Sequence, residues 1–257
     1  MLVTGGSSGI GFEIVRALAE EGAYVAAAAR GGQRLRDAAA SLKGKGLDVL
    51  ALVMDVLSDE SIEEAMKVIE SHWGGLDVLI NCAGIWMQEF NPHFTERAMP
   101  FYAYTREQMM SSMEINYLGY FATSQASMRF FLRQGEGGIV NVGMDEELFL
   151  TRGFAPIIPT RAATNALTML MAAELKGKGV DVNLLTPGGF VAGNSMPSNA
   201  DRAHFGKLLP TDICNEPMIF LCSDRARGIS GEKIVASRFD EWLRQKGLEW
   251  RREKKEG

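Results

Sequence analysis

Cysteine, histidine and long apolar runs are scarce in this sequence, and their scarcity excludes several classes of protein. The 257 residues include only three cysteines and three histidines. Cys82, Cys214 and Cys222 show neither the paired spacing of a disulfide framework nor the spacing of metal ligands, so we expect reduced thiols and no bound metal. No stretch approaches the roughly 18 consecutive apolar residues of a membrane span, and no secretory signal precedes the first apolar run. We therefore expect a cytosolic protein without a membrane partner.

Positive charge is also limited. The chain has 27 Lys and Arg against 32 Asp and Glu, which gives a net charge of -5, and no long basic stripe occurs before the last residues. A nucleic acid is therefore not an expected partner. The hydrophobic fraction of 46% and the charged fraction of 23% are typical of one α/β domain with a sizeable core.

Apolar residues alternate along the chain between strand-like runs and helical spacing. The pattern predicts strands at 2–3, 24–29, 49–53, 76–80, 139–142, 180–185 and 233–236, and helices at 10–18, 35–42, 62–69 and 162–175. This alternation predicts an α/β fold with a parallel sheet and helices on both faces. The first strand is short, so either it is trimmed or the natural chain starts upstream. We assign 1–240 to this domain and 241–257 to a charged C-terminal extension.

A glycine-rich turn separates the first strand from the first helix. Residues 4–11 read Thr-Gly-Gly-Ser-Ser-Gly-Ile-Gly. Glycines in such a turn let the backbone approach a pyrophosphate, and the start of the helix directs amide groups at it. Gly5, Gly9 and Gly11 fill those positions. Taken alone the turn is a weak signal, because glycines also serve ordinary tight turns. The other residues of the turn that we expect at a nucleotide are Ser7, Ser8 and Ile10.

Four further motifs follow predicted strands. They are Arg30 after the second strand, Asp55-Val56 after the third, Asn81-Cys82-Ala83-Gly84 after the fourth and Pro187-Gly188-Gly189 after the sixth. Together with the glycine turn, they resemble the short-chain dehydrogenase/reductase family over residues 2–236. The resemblance implies a single Rossmann-type, doubly wound parallel sheet that binds a nicotinamide nucleotide.

The resemblance also assigns roles to individual residues. It implies that Asp55 contacts the adenine, that residues 81–84 line the nucleotide cleft, and that Asn116 matches a helix asparagine that holds a structural water. Any one of these residues, taken singly, could instead form a turn or a helix cap. The expected cofactor-binding set is Gly5, Ser7, Ser8, Gly9, Ile10, Gly11, Arg30, Asp55, Val56, Asn81, Ala83, Gly84, Arg161, Pro187 and Gly188.

The end of the second strand indicates which nicotinamide nucleotide is bound. An acidic residue there would accept hydrogen bonds from the ribose hydroxyls and repel a 2'-phosphate. This chain has Ala29 and Arg30 instead, with Ser7 and Ser8 in the nearby turn. The arrangement favours NADP(H), because a guanidinium binds phosphate well. The alternative is that Arg30 is a surface arginine without a phosphate partner.

The positions that carry hydride chemistry in the family differ in this chain. The family uses a serine, a tyrosine, a lysine four residues after the tyrosine, and the helix asparagine. In the matching segments, Met144 stands at the serine position, Ile157 at the tyrosine position and Arg161 at the lysine position. Neither Met144 nor Ile157 has a proton to donate. Only Asn116 remains of the four, and residues 192–195 lack the threonine that commonly holds the carboxamide.

Charged and aromatic residues near these positions indicate what else the site could do. Asp145 and Arg161 border the same predicted cleft, and an acid beside a fixed cation can bind a substrate or move a proton. Asn116, Asp145 and Arg161 are therefore the catalytic candidates, whereas Glu146 and Glu147 read more simply as a solvated loop. The expected substrate pocket consists of Trp86, Met87, Tyr104, Met144 and Ile157, and the alternatives for its aromatic residues are loop packing or a subunit contact.

Three functions remain open from the sequence. The first is non-redox chemistry, such as isomerisation, elimination or cyclisation, on a hydrophobic small molecule beside NADP(H). The second is a catalytically inactive pseudoenzyme, which would have Met144 and Ile157 filling the cleft. The third is an NADPH-dependent oxidoreductase with a substitute proton donor, such as Tyr104 or a water held by Asn116. The resemblance also implies a homodimer or homotetramer, built through the helices around Asn116 and after Arg161.

Overall fold

Seven parallel strands form one sheet in the part of the chain that is described, which comprises residues 1–193, 196 and 205–250 of a computed structural model. The strand order is β3-β2-β1-β4-β5-β6-β7. The sheet therefore confirms the predicted doubly wound, Rossmann-type topology. The strands are β1 (Leu2–Thr4), β2 (Val25–Ala29), β3 (Val49–Val53), β4 (Val78–Asn81), β5 (Gly137–Val142), β6 (Val180–Thr186) and β7 (Lys233–Val235).

Helices cover both faces of this sheet. One hydrophobic cluster joins Ile14, Leu35 and Met218 to one face, and a second cluster joins Met66 and Phe130 to the other. Because all strands are parallel, each connection crosses over the sheet as a helix, which buries both faces. The helices are α1 (Gly9–Glu20), α2 (Gly32–Lys43), α3 (Asp59–Trp73), α4 (Arg106–Met113), α5 (Gly119–Gln134), α6 (Ile158–Glu174), α7 (Asn215–Leu221) and α8 (Phe239–Lys246).

The order of the strands creates a crevice between β1 and β4. Strand β2 lies on one side of β1 and strand β4 lies on the other. The connections that follow β1 and β4 therefore leave the carboxyl ends of these strands in opposite directions. The Oγ1 atom of Thr4 accepts hydrogen bonds from the backbone N–H groups of Cys82 and Ala83, both at 3.0 Å. Thr4 thus fixes the end of β1 to the segment after β4.

Several element boundaries differ from the sequence prediction. Helix α6 begins at Ile158 rather than at 162, because Pro159 lies in the first turn, where its missing N–H has no cost. Strand β4 begins at Val78 rather than at 76. The periodicity did not reveal α4, α5, α7 or the π-helical turn Glu114–Leu118, which joins α4 to α5 and contains Asn116.

The described part of the C-terminal extension packs against the main body. Helix α8 starts at Phe239, so the expected division at residue 240 falls inside it. Trp242 and Leu243 are buried in the same cluster as α1 and α7. The Trp250 ring lies 5.3 Å from the ring of Phe220. Residues 251–257 lie outside the described residues.

Candidate functional site

A cleft of about 390 Å³ opens at the carboxyl edge of the sheet. The β1–α1 turn, the ends of β2, β4 and β5, and the segment after β6 form its walls. This is the place where doubly wound sheets bind nucleotides. Of the predicted cofactor residues, those that line the cleft are Gly5, Ser7, Ser8, Gly9, Ile10, Gly11, Arg30, Val56, Ala83, Gly84, Arg161 and Pro187.

Glycines allow the β1–α1 turn to pack closely and still leave room for a ligand. Gly5 has a φ of 70°, and a Cβ there would lie 2.8 Å from the Cα of Ala83. A Cβ on Gly11 would collide with the carbonyl oxygen of Gly5, whereas nothing lies within 4 Å of one on Gly9. Ser8, the N-cap of α1, makes no side-chain cap hydrogen bond. The first amide groups of α1 therefore fit the oxygens of a pyrophosphate.

Two arginines lie at the end of the cleft that is formed by β2 and α2. Arg30 follows β2 and Arg34 lies in the first turn of α2, and both line the cleft with exposed side chains. Neither guanidinium makes an ion pair or a hydrogen bond within the described residues. Arg36, by contrast, donates to Gln33 at 2.9 Å. Sequence reasoning selected Arg30 and missed Arg34, although the spacing of four residues across a helix start was a usable signal.

Three predicted cofactor residues do not line the cleft. Asp55 accepts a hydrogen bond from the N–H of Leu57 at 3.0 Å and thereby shapes the turn after β3. Gly188 donates its N–H to Asp145. Asn81 is fully buried and donates to the Asn141 amide oxygen at 2.9 Å. Through these hydrogen bonds, the three residues support the walls of the cleft without lining it.

Asn116 also lies behind the cleft wall. Its Oδ1 accepts the N–H of Ile85 at 3.0 Å, and its Nδ2 donates to the hydroxyl oxygens of Ser112 and Thr160, both at 3.2 Å. The hydroxyl of Thr164 donates to the Asn116 carbonyl oxygen at 2.6 Å. The side chain of Asn116 is therefore already engaged with protein groups. Its role in this structure is to hold the segment after β4 against α6.

Arg161 and Tyr120 form a pair on the floor of the cleft. Nη1 of Arg161 donates to the Tyr120 hydroxyl oxygen at 3.0 Å and to the Val142 carbonyl oxygen at 3.3 Å. The Tyr120 hydroxyl itself donates to Val142 at 3.0 Å. Burial raises the pKa of Tyr120 to about 12, although the positive charge of Arg161 acts in the opposite direction. Sequence reasoning missed Tyr120, because no motif marks a tyrosine at this point of a helix.

A cysteine lies next to this pair. Cys82 lines the cleft, and burial raises the pKa of its thiol to about 11, with Arg161 again opposing the shift. A thiol in that state is protonated at neutral pH and is a poor nucleophile. Cys82 is therefore part of the cleft wall rather than a reactive group.

Asp145 lines the cleft, but both of its oxygens are occupied. Oδ1 accepts from the Thr186 hydroxyl at 2.8 Å and Oδ2 accepts from the N–H of Gly188 at 2.7 Å. The carboxylate therefore ties the loop after β5 to the loop after β6. The two following acids are not simply solvated, since Glu146 pairs with Lys233 at 3.1 Å and Glu147 with Arg238 at 3.2 Å.

The predicted substrate-pocket residues separate into two groups. Trp86 and Met144 line the cleft. Met87 and Ile157 are fully buried in an apolar cluster that also contains Met144 and do not reach the cleft. The Tyr104 hydroxyl donates to the Gly153 carbonyl oxygen at 2.7 Å, away from the cleft lining. The structure differs from the expectation here because the first part of the 86–105 segment folds inward and buries Met87, Phe90 and Phe94, whereas Phe101 and Tyr102 remain exposed.

Three other aromatic residues of this cluster, Phe154, Phe190 and Phe205, pack against one another. Phe154 lies 5.6 Å from Phe190 and 6.2 Å from Phe205, measured between ring centroids.

Of the stretch that lacks the expected threonine, Ala192 and Gly193 line the cleft, while Asn194 and Ser195 lie outside the described residues.

Within the described ranges, no three His, Cys, Asp or Glu side chains come together as a metal site. The helices of that same part of the chain include none that is long and apolar enough to cross a membrane.

Three features define a dinucleotide-binding α/β protein: the glycine turn, the cleft at the crevice between β1 and β4, and the two arginines Arg30 and Arg34. Comparisons with known proteins agree with this class. The profile of a family described as short chain dehydrogenase matches residues 1–203. A 3-oxoacyl-(acyl-carrier-protein) reductase of Staphylococcus aureus is 32% identical over 245 residues, which are 91% of this chain and 94% of the relative. The chain therefore belongs to the short-chain dehydrogenase/reductase family.

Solved structures show the same fold. The crystal structure of a protein called gox2181 superimposes with a TM-score of 0.81 at 27% identity and covers 94% of this chain and 95% of its own. A short chain dehydrogenase from Burkholderia cenocepacia, crystallised with NADP, gives a TM-score of 0.77 at 26% identity, with coverages of 91% and 94%. Both are similar to this chain over nearly all of its length.

Proposed function

We propose that this chain binds NADP(H) in the cleft and holds an apolar small molecule beside it, without the tyrosine-dependent hydride transfer of its family. The observation that carries the proposal is the burial of two positions. Ile157, at the family's tyrosine position, is 0% exposed, and Met144, at its serine position, is 5% exposed. Both belong to one apolar cluster. A side chain that has no acidic proton and packs among apolar neighbours cannot protonate a developing alkoxide.

The cleft fits the nucleotide. The amide groups at the start of α1 and the open space at Gly9 suit the pyrophosphate. Arg30 and Arg34 suit a 2'-phosphate, because both guanidinium groups are exposed and neither pairs with an acid in the described chain. A bound NADPH would carry a transferable hydride on its nicotinamide ring, and the relatives named above are a reductase and a dehydrogenase.

A binding role is better supported than non-redox catalysis. Acid or base chemistry needs a titratable group that faces the ligand and is free to exchange a proton. Asp145 is occupied by Thr186 and Gly188. The pKa values of Cys82 and Tyr120 are raised by burial to about 11 and about 12. Cys82 and Tyr120 therefore keep their protons near neutral pH, and the oxygens of Asp145 are already engaged as hydrogen-bond acceptors.

A second candidate function is supported by one contact. The Tyr120 hydroxyl lies 3.0 Å from Nη1 of Arg161, which resembles a tyrosine beside a cationic residue in a reductase. Under this alternative the chain is an NADPH-dependent oxidoreductase in which Tyr120 donates the proton. The high pKa of Tyr120 and its hydrogen bond to Val142 weigh against it.

Titration calorimetry and a nucleotide oxidation assay test both candidates. We expect NADPH to bind more tightly than NADH, and we expect no ketone to accelerate NADPH oxidation. If NADPH fails to bind, the proposal is wrong. If a ketone consumes NADPH and Tyr120→Phe abolishes the reaction, the second candidate is correct instead.

A restored catalytic set gives a further test. The variant with Met144→Ser, Ile157→Tyr and Arg161→Lys carries the family's residues at all three positions. We expect it to bind NADPH but to remain inactive, because a tyrosine at 157 would lie inside the apolar cluster and not at the cleft. Measurable carbonyl reduction by this variant would show that position 157 faces an open site.

We also propose that the chain forms a homodimer or homotetramer. Apolar side chains are exposed along α4, α5 and the turn between them, as Met110, Leu118 and Phe121 show. Leu170 on α6 is exposed as well. An exposed apolar surface of this kind commonly marks a protein interface. Light scattering at micromolar concentration tests it: a monomer mass would refute the proposal.

A further inference from the structure

The guanidinium of Arg161 has one nitrogen engaged with the protein and two that are free. Nη1 donates to the Tyr120 hydroxyl oxygen at 3.0 Å and to the Val142 carbonyl oxygen at 3.3 Å. Nε and Nη2 make no hydrogen bond within the described residues. The unpartnered polar atoms that are sealed from solvent in that part of the chain include neither of them. Because Arg161 lines the cleft, a ligand in the cleft can reach these two nitrogens.

The neighbours of this guanidinium hold it in place. Its Cζ lies 5.8 Å from the centroid of the Tyr120 ring. Nη2 lies so close to Gly84 that a Cβ at that position would collide with it. Glycine at position 84 therefore leaves room for the planar group. A side chain that is fixed before binding loses little conformational entropy when it pairs with a ligand.

The positive charge of Arg161 has no counter-ion within the described residues. Arg161 is partly buried, and none of the ion pairs in that part of the chain includes it. Asp145 is the one acidic residue among the described residues that line the cleft, and its oxygens accept hydrogen bonds from Thr186 and Gly188. Burying a charge without a partner costs free energy. An anionic group on a ligand would offset that cost.

The two free nitrogens form the edge of an arginine that suits a carboxylate. The N–H groups of Nε and Nη2 point the same way and match the two oxygens of a carboxylate. The chain uses this edge elsewhere, since Nε and Nη2 of Arg16 both donate to Glu13, at 2.9 Å and 2.7 Å. Trp86 and Met144, which lie two residues after Gly84 and Val142, make the adjoining part of the cleft apolar.

We infer that the apolar ligand of this cleft carries a carboxylate, which pairs with Nε and Nη2 of Arg161. The inference rests on the proposed function and names the class of its ligand, a small monocarboxylic acid with an apolar body. Trp86, Met144 and Leu148 supply the apolar contacts. Arg161 supplies the charge that distinguishes an acid from a neutral analogue. The ribose hydroxyls of a nucleotide are uncharged, so they would leave the charge of Arg161 uncompensated.

Two probes that differ in charge test the inference by titration calorimetry. 3-Phenylpropanoate carries a carboxylate, 3-phenylpropanamide is its neutral analogue, and neither contains a ketone. Both are titrated into NADPH-saturated protein, in which the proposed function has the 2'-phosphate occupying Arg30 and Arg34. We expect the carboxylate to bind roughly 10- to 100-fold more tightly than the amide, because a charge-assisted, two-point pair is stronger than a neutral hydrogen bond.

Variants at position 161 assign this preference to the guanidinium. Arg161→Gln removes the charge and the paired N–H groups, so we expect the ratio of the two affinities to fall to roughly 3-fold or less. Arg161→Lys keeps the charge without the planar edge and should give an intermediate ratio. Arg152→Gln is the matched control, because it makes the same charge change at an exposed residue that does not line the cleft. Its ratio should equal that of wild type, and thermal melts establish that the variants are folded.

Four results would overturn the inference. The first is equal affinity of wild type for the acid and the amide. The second is a wild-type ratio in folded Arg161→Gln or, if that variant unfolds, in Arg161→Lys. The third is a carboxylate that binds the nucleotide-free protein but not the NADPH-saturated protein. The fourth is failure of both probes to bind. The fluorescence of bound NADPH reports nucleotide binding independently, so failure of the proposed function would be recognised separately.

Discussion

Asp145 provides the clearest test of whether a cleft-lining acid is structural or catalytic. Its two oxygens accept hydrogen bonds from the Thr186 hydroxyl at 2.8 Å and the Gly188 N–H at 2.7 Å, and the residue is 3% exposed. Asp145→Asn keeps the shape of the side chain. It replaces one acceptor oxygen with an NH₂ group, which then faces another donor.

The size of the effect follows from these contacts. A hydrogen bond to a charged group contributes about 1.5–3 kcal/mol, and a buried donor left unpaired costs a similar amount. Because asparagine keeps one acceptor, we expect Asp145→Asn to lower the free energy of unfolding by about 2–3 kcal/mol. For a chain of this size the corresponding decrease in Tm is about 4–12 °C.

Differential scanning calorimetry measures this change, and Glu147→Gln is the control. Glu147 lies in the same loop and pairs with Arg238 at 3.2 Å, but its side chain is 76% exposed. An exposed ion pair contributes no more than about 1 kcal/mol, so Tm should hardly change. If Asp145→Asn has the Tm of wild type, the anchoring role is refuted.

Three further predictions concern the nucleotide half of the cleft. Arg34→Ala should weaken NADPH binding roughly 5- to 50-fold and leave NADH binding unchanged, because it removes a phosphate partner; Arg36→Ala is the control, and equal losses for both nucleotides would contradict the assignment. Cys82 should react slowly with iodoacetamide at pH 8, and its rate should rise about tenfold per pH unit up to pH 10, because only the thiolate reacts and burial raises its pKa to about 11. Peptide mapping by mass spectrometry measures that rate, and rapid labelling at pH 8 would contradict it. Thr4→Val should lower Tm by about 4–8 °C and weaken NADPH binding, because the N–H groups of Cys82 and Ala83 lose their acceptor; unchanged melting would show that water replaces the hydroxyl.

The fold could be predicted from the sequence because its signals are local. Runs such as 24–29 and the helical spacing of Ile14 and Leu18 report burial within a few residues of chain. The glycine turn at Gly5 and Gly9 was also recognisable, since its backbone geometry depends on the residues themselves. Boundaries were less accurate where a proline such as Pro159 enters a helix start.

The chemistry of the site was less predictable, because it depends on contacts between distant segments. Asp145 follows a strand as a catalytic acid would, yet Thr186 and Gly188 occupy it from 41 and 43 residues away. Tyr120 reaches Arg161 across 41 residues of sequence. No periodicity or motif encodes such pairings, so the sequence predicted most of the residues that line the cleft but not the contacts on its floor.

The most direct test of the central claim is a time course of bound NADPH fluorescence. NADPH is added first and a set of apolar ketones afterwards. Our account predicts that the emission shifts when NADPH binds and then stays constant after each ketone is added. An emission that never shifts, or one that decays as a ketone is reduced, would contradict the claim that this cleft holds the nucleotide without transferring its hydride.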